Sequence, residues 1–308
     1  MVVLKNACEG SYNFMRRSKG ERIFDVFNYI FLGLLGFCTL YPFLNVLNIS
    51  LSTPANVGNV GLRILPLNPC FEGYKKIMEN AYLLTGYKNT IIRTVLGTII
   101  NVILSSMVAY PLSKKYLPNR NIWVSMIIFT MFFSGGLIPS YILIQKLGLT
   151  NTIWVLILPG AISTFNMIIV RNYFMSLPTE LEESAKIDGA NDIRILFSII
   201  LPVSVPIIAT IALWSAVGHW NAWFDALIYI TDENLMVLQV ILRRMVVEGS
   251  MQYMESSGTE FVNEDGFKPT PDIIKSAAIM VSSLPIIMVY PFVQKYFIQG
   301  IMIGSLKG

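Results

Sequence analysis

Six apolar segments, each long enough to cross a bilayer as a helix, constrain this chain of 308 residues more than any other feature. A hydrocarbon core about 30 Å thick requires about 20 predominantly apolar residues in helical form. One water-soluble core could not hide a composition of 54 % hydrophobic and only 14 % charged residues. The sequence therefore predicts an all-α, polytopic membrane protein. We place its six transmembrane helices near residues 26–50, 89–112, 121–145, 153–175, 199–222 and 276–298.

The basic residues predict how these helices are oriented. Short loops that are rich in Lys and Arg stay on the cytoplasmic side of a membrane. The tail at residues 1–25 contains Arg16, Arg17 and Arg22, and the short loops after the second and fourth segments are also basic. We therefore expect both termini in the cytoplasm. The net charge of +4 is too small and too dispersed to predict nucleic-acid binding.

The remaining chain is predicted to form one domain, residues 26–308, behind the cytoplasmic tail. Its two longer polar segments, 51–88 and 223–275, would lie outside the cell. Within the second, Leu238 to Val247 is periodic enough for a short amphipathic helix. Such exterior segments cap a helix bundle or contact a partner, and the pattern does not separate these two roles.

A charged stretch, residues 178–202, interrupts the apolar segments on the predicted cytoplasmic side. Thr179 and Glu182 have the spacing of a capping box, which predicts that a helix begins here. Gly189 lies where a left-handed residue would end this helix. A second short helix is expected from about Asn191 to Ser198. The sequence thus predicts two short helices joined by a tight turn.

The composition of this stretch favours a docking element over a solvated loop. Ala185 and Gly189 are small enough to let another backbone approach closely. Leu181 and Ile187 add candidate apolar contacts, which a merely solvated loop does not require. A polar helix at the membrane surface is a suitable place for a partner to apply force.

Several motifs resemble those of importer-type ABC permeases. Glu183-Ser184-Ala185, then three residues to Gly189, then nine to Ile199-Ile-Leu-Pro202, is similar to the EAA loop of that family, with Ser184 in place of the usual second alanine. Longer motifs resemble the second permease subunit of maltose-type carbohydrate importers, in a branch associated with oligosaccharides from complex polysaccharides. These motifs occupy residues 131–141, 158–166 and 294–308.

The resemblance implies a six-helix type I permease in the bacterial plasma membrane that works by alternating access. It implies four kinds of partner: a second, homologous permease, a cytoplasmic ATPase with two copies or domains, an extracellular solute-binding lipoprotein and a sugar. No cofactor is expected on this chain, since ATP and Mg²⁺ would bind the ATPase. The residues expected to couple the ATPase to the membrane helices are Leu181, Glu183, Ser184, Ala185, Ile187, Asp188 and Gly189.

Candidate substrate-path residues lie at the outer end of the fifth segment. His219, Trp220 and Asn221 combine an aromatic face with hydrogen-bonding groups, as a sugar ring requires. An interfacial belt of aromatic side chains explains Trp220 equally well. Asn166 in the fourth segment is a further candidate, because polar side chains within a membrane tend to face the bundle interior. Hydrogen bonding between helices is its alternative explanation.

The sequence argues against an enzyme. It contains no Gly-x-x-x-x-Gly-Lys-Ser/Thr loop for ATP phosphates, and its single histidine excludes His-Glu-x-x-His zinc chemistry. An intramembrane hydrolase built on Ser134 with His219, or on Asp225 with Asp232, lacks supporting motifs. A secondary transporter normally shows internal repeats, which this sequence does not have. A permease for a solute other than a sugar remains an alternative.

Overall fold

The computed structural model describes residues 19–57, 66, 68–256 and 270–305, and every regular element in these ranges is helical. The acidic residues Glu260, Glu264 and Asp265, the tail before Lys19 and the last three residues lie outside them. The α-helices are α1 (Lys19–Ser50), α2 (Pro54–Val57), α3 (Glu72–Met78), α4 (Leu83–Ser113), α5 (Arg120–Phe132), α6 (Leu137–Lys146), α7 (Thr164–Met175), α8 (Glu180–Ile187), α9 (Asp192–Ile195), α10 (Leu201–Val203), α11 (Val205–Asn221), α12 (Phe224–Tyr229), α13 (Leu238–Ser256) and α14 (Pro271–Ser305). Short 3₁₀ helices occupy Ile153–Leu156, Leu158–Gly160 and Glu233–Leu235, and a π-helix occupies Leu196–Ile200.

The helices that could cross a membrane fall into two groups. In the described ranges α1, α4 and α14 are long and apolar enough by themselves. The other three predicted transmembrane segments are each broken into two helices, with bends of 109° between α5 and α6, 49° before α7 and 87° before α11. The candidate membrane spans among the described residues are thus three long helices plus three bent pairs, which make six if each pair is counted as one span.

Proline and glycine account for the bends. Gly136 has φ of 83° between α5 and α6, a backbone angle that L-residues rarely adopt. At the start of α11, Ser204 stands between Pro202 and Pro206, which remove backbone donors from consecutive turns. The π-helix just before them shows the same irregularity. A hydropathy profile registers the apolar length of these segments but not the change of backbone direction within them.

Helix α4 lies at the centre of the bundle, in contact with α7, α11 and α13. Its inner side is polar, with buried Asn89, Thr90, Arg93, Asn101, Ser105 and Ser106. Its exposed side carries Ile91, Val95, Ile99 and Met107. This is the inverse of a soluble protein and is typical of a helix that turns apolar side chains to lipid.

Three apolar clusters hold the two ends of the bundle. One surrounds the C-terminal end of α4 and joins Tyr110 to Phe174 of α7, Ala185 of α8 and Ile195 of α9. A second joins the 3₁₀ helix at 153–156 to α12 and α13, and a third joins α3, α4, α11, α13 and α14. The predicted helix at Leu238 is confirmed and extends to Ser256. It caps one end of the bundle.

Candidate functional site

The charged stretch folds as two short helices, α8 and α9, joined by a tight turn, and we refer to residues 180–195 as the α8–α9 unit. Gly189 has φ of 79°, in the left-handed region. The N–H of Ala190 donates to the carbonyl of Ala185 at 2.9 Å, and that of Gly189 donates to Lys186 at 3.0 Å. These two bonds define a Schellman motif, which satisfies the last carbonyls of α8. The predicted helix and its left-handed end are both confirmed.

The predicted capping box does not form, although α8 begins where expected. Thr179 makes no side-chain capping bond. Glu182 instead accepts a hydrogen bond from Lys114, which directly follows α4. The amine of Lys114 also lies 4.4 Å from the centre of the Tyr110 ring. Glu182 therefore pairs with Lys114, at the end of the central helix α4, and does not cap the start of α8.

The α8–α9 unit is attached to the bundle on one side and open on the other. Ala185 is buried against the chain's own core, so its small size serves packing within this subunit. Leu181 and Ile187 are exposed, Ile187 to 87 %. Asn191 caps α9 by accepting a bond from the N–H of Arg194 at 2.8 Å. The unit therefore presents apolar side chains outward from a fixed base.

The other predicted coupling residues lie on the surface of the same unit. Glu183, Ser184, Asp188 and Gly189 are all exposed. The hydroxyl of Ser184 donates to the carbonyl of Glu180 at 2.8 Å, so it is satisfied within the helix. A Cβ at Gly189 would meet nothing within 4 Å. The space directly above Gly189 is therefore open among the residues that the structure describes.

Lys186 adds a cation to this surface. Its amine contacts the Tyr116 hydroxyl at 3.4 Å and the Asp192 carboxylate at 3.5 Å. The interaction with Tyr116, chiefly its hydrogen bond, raises the pKa of Lys186 above its ordinary value, and Asp192 adds a smaller contribution in the same direction. The side chain is accordingly charged at any physiological pH. This contact ties the exposed end of α8 to the loop after α4.

At the C-terminal end of α11 the structure separates the three predicted substrate residues. Trp220 is only 8 % exposed, and its indole N–H donates to the carbonyl of Ser282 at 3.0 Å. His219 packs on Gly97, where a Cβ would come within 2.5 Å of its Nε2 atom. Asn221 is exposed and lines an open cavity. In this conformation only Asn221 is placed to meet a solute.

Asn166 is buried and pairs with Asn101 of α4. Its amide donates to the Asn101 side-chain oxygen at 3.2 Å. The Asn101 amide lies 3.3 Å from the carbonyls of Gly160 and Ala161, at the break before α7. These bonds satisfy backbone groups that the bend frees. The geometry fits hydrogen bonding between helices, the alternative explanation for Asn166.

A polar clamp on α4, formed by Asn89, Thr90 and Arg93, is the feature that sequence reasoning missed. Asn89 donates to the carbonyls of Asn234 and Met236 at 2.8 and 3.0 Å. The Thr90 hydroxyl accepts from the N–H of Leu238 at 2.9 Å. A spacing of i, i+1 and i+4 places the three side chains on one side of the helix. The sequence signal that could have revealed the clamp is the presence of three hydrophilic residues inside an apolar segment.

Arg93 of the clamp forms a buried ion pair. It is 2 % exposed, donates to the carbonyl of Ala222 at 3.0 Å and pairs with the carboxylate of Asp225. Asp225 also accepts from the N–H of Ala226. The hydrolase alternative needed Asp225 and Asp232 as free acids, but Asp232 caps the 3₁₀ helix at 233–235. Both carboxylates have structural partners.

The cavity beside Asn221 is open to the surface and has a volume of about 400 Å³. It is lined by Gly218, Asn221, Ala222, Trp223, Phe224 and Asp225. The guanidinium of Arg243, from α13, lies 3.7 Å from the centre of the Trp223 ring. The fold thus offers a cavity at one end of the bundle and the α8–α9 unit at the other end of α4.

A bundle with a polar interior, a cavity at one end and an exposed helical unit at the other defines a membrane permease subunit. Residues 81–303 match the model of the binding-protein-dependent transport system inner membrane component family. The chain belongs to this family and is an inner membrane component of an ABC importer.

Similar proteins cover nearly the whole chain. Protein LplC of Bacillus subtilis is 42 % identical over 96 % of this chain and 98 % of its own length. The polygalacturonan/rhamnogalacturonan transport system permease protein YtcP of the same species is 39 % identical over 94 % and 99 %. A chain of a bacterial ABC transporter involved in the import of the acidic polysaccharide alginate is 33 % identical, with a TM-score of 0.78 over 91 % of this chain and 99 % of that one.

Proposed function

We propose that this chain is one of two permease subunits of an ATP-driven importer that carries oligosaccharides. The single observation that carries the proposal is the α8–α9 unit, which is fixed to α4 at its base and exposes Leu181 and Ile187 at its surface. Such a unit transmits a push from a partner to the central helix. The relatives named for polygalacturonan and alginate support a saccharide as the solute over other solutes.

The proposed topology has six crossings, with each bent pair counted as one, and cytoplasmic termini. The length and composition of the helices support this count. The α8–α9 unit then lies in the cytoplasm, where an ATPase can reach it, and α13 lies outside. ATP hydrolysis belongs to that partner. Membership of a family of transport components argues against the intramembrane hydrolase. The dependence of this family on a binding protein argues against a secondary transporter.

The proposed coupling surface consists of Leu181, Glu183, Ser184, Ile187, Asp188 and Gly189, with Ala185 anchoring it from beneath. Closure of the ATPase on ATP would move this surface and, through Lys114 and Glu182, the inner end of α4. Only a partner that binds one arrangement of the helices better than the other can shift them. The ion pair makes the unit rigid enough to pass on that preference.

Among the proposed path residues, Asn221 is the one that meets the cavity directly. His219 lies two residues before Asn221 and shapes the contact between α11 and α4 at Gly97. Trp220 and Asn166 hold the surrounding helices together in this conformation. We therefore assign solute contact to Asn221 and a supporting role to the other three.

The test is reconstitution of the chain in lipid vesicles with its companion permease, its ATPase and its binding protein. ATP hydrolysis is measured with a panel of neutral and acidic oligosaccharides, amino acids and peptides. We expect stimulation and uptake with one or more oligosaccharides. If only amino acids or peptides stimulate ATP hydrolysis, the solute is not a sugar. If uptake proceeds without ATP, the chain is a secondary transporter.

A further inference from the structure

Arg243 on α13 lies over the aromatic ring of Trp223, which lines the cavity. Its guanidinium carbon lies 3.7 Å from the centre of the Trp223 ring, and the side chain is otherwise exposed. Stacking on an indole restricts a guanidinium to one plane and leaves its N–H edges available. Planar donors of this kind match the two oxygens of a carboxylate.

The charges around the cavity favour an anion there. Asp225 is the acidic residue in the cavity lining, and its carboxylate is neutralised by buried Arg93. Among the residues that the structure describes, no carboxylate lies within salt-bridge distance of Arg243. The charge of Arg243 is therefore not neutralised by an ion pair with any of the described acids.

The rest of the lining suits a sugar ring. Trp223 and Phe224 pack edge to face, with ring centres 5.6 Å apart, and give the cavity an aromatic wall. Asn221 supplies an amide next to them. An aromatic wall with a polar group beside it binds the apolar face and the hydroxyls of a pyranose. The cation of Arg243, which lies over the ring of Trp223, adds a site for a sugar ring that carries an acid.

We propose that Arg243, positioned by Trp223, binds the carboxylate of a uronic acid unit as an acidic oligosaccharide enters the cavity. The proposal rests on the proposed function and narrows its substrate to the acidic class. It assigns the extracellular helix α13 a role in substrate selection beyond capping the bundle. Arg244, the next residue along α13, is also exposed but stacks on no described ring, which makes it a matched control.

The experiment measures direct saccharide binding to the assembled transporter in lipid nanodiscs. The probes are tri-galacturonate and its fully methyl-esterified form, which has the same rings without charge. We expect Arg243→Gln to weaken binding of tri-galacturonate about tenfold and to leave binding of the ester unchanged. Arg244→Gln should change neither, and Arg243→Lys should recover part of the loss because it restores charge without the planar fork.

Four outcomes would overturn the proposal. An equal loss of both probes in Arg243→Gln would show that the side chain supports packing or partner docking. An equal effect of Arg244→Gln would indicate general electrostatic attraction. If the wild-type transporter binds acid and ester equally, the acidic selectivity fails while the proposed function stands; if it binds neither and takes up no sugar, the proposed function fails as well.

Discussion

Replacing Glu182 with alanine removes the carboxylate that neutralises Lys114 at the base of the α8–α9 unit. The two side chains are 13 % and 10 % exposed, so the pair is largely buried. Removing one partner of a buried pair costs about 3–5 kcal/mol, because the other charge is left uncompensated. We take the lower end, about 3 kcal/mol, since each group keeps some contact with solvent. That is about a 150-fold shift toward a detached α8.

The assay compares solute uptake with ATP hydrolysis in vesicles that contain the whole transporter. Glu182→Ala should keep basal ATP hydrolysis but lower the ratio of uptake to hydrolysis at least tenfold, since α8 no longer moves α4. Asp192→Ala is the matched control, because the Lys186–Asp192 pair at 3.5 Å is 43 % and 60 % exposed. An exposed pair contributes about 0–1 kcal/mol, so the ratio should hardly change.

A double-mutant cycle isolates the ion pair from other effects of the substitution. The cycle consists of Lys114→Met, Glu182→Met and the double variant, which replaces both charges with apolar groups and should recover most of the coupling, as buried pairs often tolerate such replacement. If Glu182→Ala transports with the wild-type ratio and α8 stays as resistant to protease as before, the Lys114–Glu182 link does not transmit force.

Three further substitutions test separate parts of the account. Gly189→Val should lower uptake by straining a turn with φ of 79° by about 1–2 kcal/mol and crowding the partner surface; ATPase co-purification and uptake measure it. Asp225→Asn should lower thermal stability in detergent by about 3 kcal/mol or more, because Arg93 stays buried without its counter-charge. Trp220→Phe should cost about 1 kcal/mol, the hydrogen bond to Ser282, with unchanged sugar affinity.

For each of these three substitutions, one result would contradict the prediction. Wild-type uptake by Gly189→Val would mean that no partner approaches the turn. An unchanged midpoint of thermal unfolding in Asp225→Asn would mean that the Arg93 pair is not structural. A weakened sugar affinity in Trp220→Phe with unchanged stability would place Trp220 in the substrate path, as the sequence first suggested.

Much of the fold was predictable because apolar length is a direct physical requirement of the bilayer. The ends of the predicted helices differ from the structure by a few residues; for example, α4 begins at Leu83 and was expected at 89. The size of the bends was not predicted, because Gly136 and Ser204 change backbone direction without changing the composition. Breaks of this kind depend on φ and on lost donors, which a hydropathy profile does not register.

The features of the site were likewise predictable only where the local sequence determines them. The Gly189 turn follows from local chain chemistry, so spacing alone predicted it. The partner of Glu182 did not follow, because Lys114 is 68 residues away and only the folded bundle brings them together. Trp220 looked like a sugar platform in sequence, yet neighbours from α4 and α14 bury it. Long-range contacts decide which polar and aromatic residues stay exposed.

The central claim is that the α8–α9 unit meets the ATPase in the cytoplasm, and cysteine cross-linking tests it most directly. With Cys8, Cys38 and Cys70 replaced by serine, Ile187→Cys is compared with Phe71→Cys, an exposed position in the segment proposed to lie outside. We predict that Ile187→Cys cross-links to the ATPase and that ATP changes the yield, while Phe71→Cys gives no such product. Cross-linking from Phe71→Cys and none from Ile187→Cys would contradict both the topology and the coupling role.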